Sequence, residues 1–501
     1  MSRQADEGDR LVATGVAGLD DVLGGGFTAD RVYLIEGNPG AGKTTLALQY
    51  LMEGAKLGEP GLYVTLSETK VELAAVARSH GWSLEGIILL ELAASEADLE
   101  PDNQYSMFQP SEVELAETTR VILAEVDRSK PKRVVIDSLS EMRLLAQSPL
   151  RYRRQILALK QFFIGRSCTV FLLDDKSSEV EDLRLQSIAH GVLSLEQLSP
   201  EYGAERRRVR VTKLRGRKYR GGYHDFVIEP GGLAVFPRLV ANEHDEGGER
   251  GLLQSGNAEV DLMMGGGLQY GTSAVLLGPA GSGKSTFALQ YARAATARGE
   301  RAAVFSFDER LQTILERTEG LGMDIGEEVA SGRIRIQQVD TAELSPGEFA
   351  HRVRESVADR DGVAGARIVV IDSLNGYLNA MPEERFLISQ LHELLTYLGH
   401  RGVVTFLVVA QHGLFGTMNS PVDTTYLADT VVLFRYFEAR GEVRQAISVV
   451  KKRSGRHERT IRELTLDTGD GLVVGPPLRD FQGVLTGTPF FFGPDGGPQD
   501  G

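Results

Sequence analysis

Several things are scarce in this chain, and each scarcity removes a class of protein. Cys168 is the only cysteine among 501 residues. An internal disulfide needs two cysteines and a cysteine-rich zinc site needs more, so both are excluded. Cys168 sits in the apolar segment Ser167-Cys-Thr-Val-Phe-Leu-Leu173, the setting of a small buried hydrophobe and not of a reactive thiol. No run of about twenty apolar residues occurs, so no membrane span is expected. The opening residues MSRQADEGDR are charged and lack the apolar core of a secretory signal. A reducing, cytoplasmic setting is the expectation. Basic residues are in the minority, 55 Lys and Arg against 69 Asp and Glu, which leaves a formal net charge of −14. A surface with that balance repels polyanions on average and argues against a role in coating nucleic acid.

What the chain has in quantity is repetition. Its length exceeds one ordinary core, so two domains are the first expectation. Thr14-Gly-Val-Ala-Gly-Leu-Asp20 precedes the run Gly24-Gly25-Gly26, and Ser255-Gly-Asn-Ala-Glu-Val-Asp261 precedes Gly265-Gly266-Gly267. The segment VVIDSL occurs at Val134–Leu139 and again at Val369–Leu374, and Val211-Thr-Lys-Leu-Arg-Gly216 is echoed by Val449-Val-Lys-Lys-Arg-Ser454. These landmarks keep one order and nearly one offset, which makes the chain an internal duplication. The predicted organisation is a first domain over 1–241, a polar linker over 242–252, a second domain over 253–480 and a Gly/Pro-rich tail over 481–501. Within the tail, Phe490–Phe492 is expected to dock against a core or a neighbour.

Inside each copy, short apolar runs alternate with helical patterns, which predicts an α/β fold with a mostly parallel sheet flanked by helices. Strands are predicted at 32–36, 61–66, 273–277 and 302–307. Leu46, Leu48, Leu51 and Met52 fit an amphipathic helix, and a second helix is predicted from Thr286. Antiparallel additions are expected after Lys213 and Lys451, because segments such as Arg207–Thr212 alternate in strand fashion.

The chemistry is concentrated in two loops that fit G-x-x-x-x-G-K-[ST]. They are Gly37-Asn38-Pro39-Gly40-Ala41-Gly42-Lys43-Thr44-Thr45 and Gly278-Pro279-Ala280-Gly281-Ser282-Gly283-Lys284-Ser285-Thr286. Each lies between a predicted strand and a predicted helix, as a phosphate cradle requires. Glycines let backbone N–H groups approach the phosphates, while Lys43 and Lys284 reach the β- and γ-phosphates. ATP is the expected ligand and Mg2+ the expected metal, with Thr44 and Ser285 offering hard hydroxyl oxygens. Asp137 and Asp372 end apolar strands and complete that metal role. Glu68 and Glu309 follow the next strand, where a carboxylate can orient the attacking water. Asp308 supplies a further carboxylate in the second copy alone, so the two sites are expected to differ in rate. Gln411 and His412 end another strand where the first copy has Asp174-Asp175, a position that suits a γ-phosphate-sensing group, but a solvated strand end is the commoner role of such a pair and they stay outside the expected site.

These residues, together with Tyr426-Leu-Ala-Asp-Thr-Val-Val-Leu-Phe-Arg435, Ile447–Glu458 and the tail Phe481-Gln-Gly-Val-Leu-Thr-Gly-Thr-Pro489, resemble the KaiC family of RecA-like P-loop ATPases over nearly the whole chain. The resemblance implies tandem RecA-like domains, a two-tier homohexamer with ATP at subunit interfaces, ATP hydrolysis, and Ser/Thr autophosphorylation in the second domain. It implies that Lys213, Arg215, Lys451 and Arg453 reach a neighbour's nucleotide, as an arginine finger does. It places the phosphoacceptors at Thr425, with Thr424 beside it, and at Tyr426. Three departures set the chain apart from the family's clock members: the tyrosine at 426, Ser67 in place of a second glutamate, and a tail ending soon after Phe492. Timekeeping is therefore not among the expectations.

Two other classes compete. A DNA-dependent ATPase of recombination would use the same fold, and the acidic balance argues against it. A nucleotide-gated scaffold would bind ATP with little turnover, and glutamine at 68 and 309 would leave it unaffected. Protein regulators are not readable from the sequence.

Overall fold

The computed structural model describes residues 10–92, 110–146, 148–176, 182–200, 203–241, 251–340, 342–379, 386–411, 427–469, 471–485 and 490–491. It divides into two compact units, Met1–Arg238 and Leu239–Gly501. Leu239 and Ala241 are buried in the core of the second unit, and the Ala241 N–H donates to Glu393 Oε2 at 3.0 Å.

The first unit is built on a nine-stranded sheet. Its strand order is Gly232–Phe236, His224–Glu229, Arg206–Leu214, Gly191–Leu198, Val32–Gly37, Thr169–Asp175, Arg133–Asp137, Gly61–Thr65 and Ile87–Glu91. From Gly191–Leu198 to Ile87–Glu91 the strands run parallel, and the first three close one edge in antiparallel fashion. The central strand shows why this sequence is a sheet filling. Val32 and Leu34 enter one core cluster, while Tyr33 and Ile35 enter another. Period-two alternation with an apolar residue at each of 32–35 buries both faces. The helix Lys43–Lys56 covers one face with Leu46, Leu48 and Leu51, and Leu139–Ala146 and Pro149–Phe163 cover the other.

The second unit repeats the plan strand for strand. Its order is Gly471–Pro477, Arg462–Asp467, Glu442–Lys452, Thr430–Ala439, Ser273–Gly278, Val404–Ala410, Ile368–Asp372, Ala302–Ser306 and Ile334–Gln338. Ala274 and Leu276 face one cluster, Val275 and Leu277 the other. Both units are RecA-like α/β domains, as the sequence predicts. The antiparallel edge begins with Arg206–Leu214 and Glu442–Lys452, the first of which contains the alternating segment 207–212, and its remaining strands follow Lys213 and Lys451 as expected.

The repeated lead-in to the glycine runs has a physical reason. Asp20 accepts the Thr14 N–H at 2.9 Å, and Asp261 accepts the Ser255 N–H at 2.7 Å. Cys168 is buried, in keeping with its apolar setting. Phe490–Phe491 pairs with Phe481–Gln482, and the Phe491 ring meets Phe481 edge-on at 5.3 Å, but both Phe490 and Phe491 stay exposed, so neither is docked in a core as expected. Residues 242–250 of the expected linker and Phe492 lie outside the described residues.

Candidate nucleotide sites

Each loop links the end of a central strand to a 14-residue helix, Lys43–Lys56 or Lys284–Ala297. Gly40 and Gly42 hold φ of 79° and 96°, and Gly281 and Gly283 hold 75° and 93°. Side chains rarely adopt such angles, so the glycines permit the curl of the loop. Gly42 and Gly283 cap their helices without a side-chain hydrogen bond, which leaves first-turn N–H groups for an anion. Lys43 is buried, and its Nζ donates to the carbonyls of Gly37 and Asn38 at 2.8 and 3.1 Å and to Asp175 Oδ1 at 2.8 Å. Lys284 is buried too, and among the described residues its one hydrogen bond is to the Pro279 carbonyl, at 2.5 Å. Burial pushes its amine down to about 8, and the Asp372 charge only partly opposes this.

The sheet register brings the predicted carboxylates together. Thr65 pairs with Asp137, and Ser306 with Asp372, across neighbouring parallel strands. In the first unit Asp137 Oδ2 accepts from the Tyr63 hydroxyl and from Thr44 Oγ1, the latter at 3.4 Å. Burial raises the Asp137 carboxyl, and the Tyr63 hydrogen bond and the Lys43 charge pull against it. The Thr65 hydroxyl accepts the Glu68 N–H at 2.9 Å and donates to its carbonyl at 2.7 Å, which fixes where the glutamate leaves the strand. Glu68 Oε2 is buried without a hydrogen-bond partner among the described residues. Burial first, then the Asp137 and Glu72 charges, raise this carboxyl.

The second unit keeps the backbone device and changes the carboxylates. Ser306 anchors the Glu309 N–H and carbonyl at 3.2 and 2.7 Å. Both Glu309 oxygens accept from Arg317 Nη1, at 2.7 and 2.8 Å, where Glu68 has no such partner. Asp308 Oδ2 accepts from Ser373 Oγ at 2.6 Å. Burial raises Asp372, and the Ser285 hydroxyl and the Arg317 charge counter it. Asp137–Ser138 and Asp372–Ser373 are both cis peptide bonds, a further point on which the copies agree.

The family model described as the KaiC ATPase matches residues 12–240 and 253–479, which covers both units. The chain belongs to the KaiC ATPase family. Among curated relatives it is similar to the circadian clock protein KaiC3 of Synechocystis sp., at 25% identity over 98% of this chain and 97% of the relative. It is also similar to the circadian clock oscillator protein KaiC of Thermostichus vulcanus, at 27% identity over 96% of this chain and 92% of the relative. The oscillator protein KaiC of Synechococcus elongatus matches at 26% identity over 95% of this chain and 91% of the relative. Membership in this ATPase family implies nucleotide binding and ATP hydrolysis.

Not every predicted site residue of this KaiC-family chain gathers at its own loop. Lys213 pairs with Val192, which pairs with Leu34, and Lys451 pairs with Val431 and so with Val275. Both lysines therefore lie toward the start of the strand whose far end carries the loop. Lys213 donates to the carbonyls of Gln186 and Ala189, and Arg215 to that of Ser187. Lys451 donates to the Ala428 carbonyl and Arg453 to Asp429. Thr424, Thr425, Tyr426 and His412 lie outside the described residues. One alignment is corrected. Gly37 pairs with Asp175 and Gly278 with Ala410, so the partners of Asp174-Asp175 are Val409-Ala410 and not Gln411-His412.

Among the described residues no group of three or more metal-ligating side chains occurs, and no helix is long and apolar enough to cross a membrane. Mg2+ needs no such cage when phosphates and water complete its shell. The adjacent Thr44 hydroxyl and Asp137 carboxylate fit it, since a cation would relieve a carboxyl that burial pushes up. Sequence reading missed Thr65 and Ser306, although each sits at the same place in its copy. It also missed Tyr63, Asp175 and Arg317, which have no counterpart in the other copy: Tyr63 aligns with Val304 and Arg317 with Val76.

Proposed function

We propose that the chain is a Mg2+-dependent ATPase with two working sites, assembled as a homohexamer, whose second site also phosphorylates Thr425 or Thr424 of the chain itself. The observation that carries the hydrolytic reading is the constellation present in both units. Each has a glycine-curled loop at a helix N-terminus, a buried lysine, a hydroxyl beside a strand-end carboxylate, and a glutamate anchored one strand away. The loop N–H groups and Lys43 hold the triphosphate, and Mg2+ when bound neutralises charge between the β- and γ-phosphates. Glu68 has a buried oxygen without a donor and a raised carboxyl, so once ionised it accepts a water proton more readily than an exposed glutamate.

The homohexamer reading draws support from the far end of the sheet. Arg31, Lys160, His190 and Arg215, with the single carboxylate Asp30 among them, line a cavity of about 360 Å³ there. Burial and then the Arg215 charge push Lys160 down, and burial and then the Arg31 charge do the same to His190. Such a cluster favours an anion, and a second copy's nucleotide supplies one. The relatives' names speak of a circadian clock, and that role is not part of this proposal.

The test is incubation of purified protein with γ-labelled ATP and Mg2+, with phosphate release measured and protein-bound label mapped by mass spectrometry. Hydrolysis should fall in steps with Glu68→Gln and Glu309→Gln. Label should appear at Thr424 or Thr425 and vanish with Lys284→Ala. Turnover insensitive to both glutamates would leave a nucleotide-gated scaffold, and hydrolysis without bound label would remove the kinase claim. Turnover that rises with DNA and weakens steeply with salt would favour the recombination reading.

A further inference from the structure

The two units are alike in backbone and unlike at one charge. Glu68 and Glu309 follow equivalent strands and are anchored by equivalent hydroxyls. Eight positions on, the helix of the first unit carries Val76, packed against the core, while that of the second carries Arg317. Arg317 Nη1 spans both Glu309 oxygens, and the pair is mostly covered, with side-chain exposures of 30% and 25%.

This is a poor arrangement for an ion pair whose only task is to hold the fold. A structural Arg–carboxylate pair uses two guanidinium nitrogens side by side. Here one nitrogen serves both oxygens, while Nε and Nη2 are buried with no partner among the described residues. Buried donors left silent weaken a fold, so the residue's contribution lies elsewhere.

We propose that Arg317 is a positioning residue that engages Glu309 and makes the second site the slower hydrolase, so that ATP resides there longer than in the first site. This rests on the ATPase reading above, with Glu309 as the group that orients water. An attacking water has to compete with a charge-assisted hydrogen bond for either Glu309 oxygen. Among the described residues no guanidinium bonds Glu68. Longer residence suits a site that transfers a phosphoryl group to a side chain instead of to water.

The test uses the full chain carrying Lys43→Ala, so that phosphate release reports the second site. Arg317→Val installs the first unit's residue, and Arg317→Gln keeps the length without the charge. Both should raise kcat at least threefold with the KM for MgATP within twofold of the parent. Arg317→Lys, which keeps the cation, should stay near the parent, and Glu309→Gln added to either fast variant should abolish the gain. If valine unfolds the unit, as judged by thermal melting, the glutamine variant decides. A kcat that is unchanged or lower in a folded, ATP-binding Arg317→Gln protein overturns the inference. Should Glu309→Gln stop turnover while Arg317→Gln changes nothing, only the Arg317 role falls. Should Glu309→Gln leave turnover intact in every background, the assignment of Glu309 falls with it.

Discussion

Lys43 Nζ and Asp175 Oδ1 lie 2.8 Å apart, so the lysine of the first loop already holds a carboxylate of its own chain. The pairing follows from sheet register, since Asp175 sits directly opposite Gly37, the first residue of that loop. In the second unit the equivalent residue is Ala410, and no carboxylate pairs with Lys284 among the described residues. A triphosphate entering the first loop must displace Asp175 and then tolerate its charge nearby.

Replacing Asp175 with the second unit's residue should therefore tighten the first site. An ion pair with one partner 45% exposed is worth about 1 kcal/mol at most. Its loss in Asp175→Ala should lower the Kd for MgATP by a factor of about five. Calorimetric titration of chains carrying Lys284→Ala isolates the first site. Equal or weaker binding would mean that Asp175 does not compete with the nucleotide.

The second loop should instead show its character through pH. Burial holds Lys284 at about 8 against an ordinary 10.5, and a bound phosphate favours the protonated amine. Affinity at this site should be level well below pH 8 and fall as pH rises through about 8, with net proton uptake on binding above that point. Folding has the opposite slope. A lysine depressed in the folded state burdens the fold while it is charged, so stability should rise as pH climbs from about 8 toward the ordinary value. Titration of Lys43→Ala chains from about pH 7 to about pH 9 in buffers of different ionisation heat checks the binding half. A Kd flat across that span would show that Lys284 stays charged throughout.

Much of this was legible from the residues because the decisive chemistry is local. A glycine-curled loop, its lysine and its hydroxyl occupy nine consecutive positions, so the motif carries its geometry with it. Asp137 and Asp372 were legible because each ends an apolar strand and the duplication shows it twice. Tyr63, Asp175 and Arg317 were not, since what each touches depends on which distant strand or helix turn lies alongside. Asp175 meets Lys43 only because Thr169–Asp175 inserts beside Val32–Gly37. The counterpart of Asp175 has the same origin: hydrogen-bond register fixes it residue by residue, as Ala410 and not Gln411.

The placement of Lys213 and Arg215 at the far end of their own sheet leads to a test of assembly. If they complete a neighbour's site, a Lys213→Ala, Arg215→Ala chain keeps its own Glu68 and loop but starves the adjacent copy of its cations. A Glu68→Gln chain has the converse defect. Each alone should bind ATP and release almost no phosphate from the first site, when both also carry Lys284→Ala. Mixed in equal amounts and allowed to reassemble, they should recover about a quarter of the parent rate, because about one interface in four then joins an intact Glu68 to a neighbour's intact cations across a heterologous contact. Phosphate release after co-assembly measures it. Residues that served their own loop would give no recovery at any mixing ratio, and the basic cluster lined by Arg31, Lys160, His190 and Arg215 would then need a different anion.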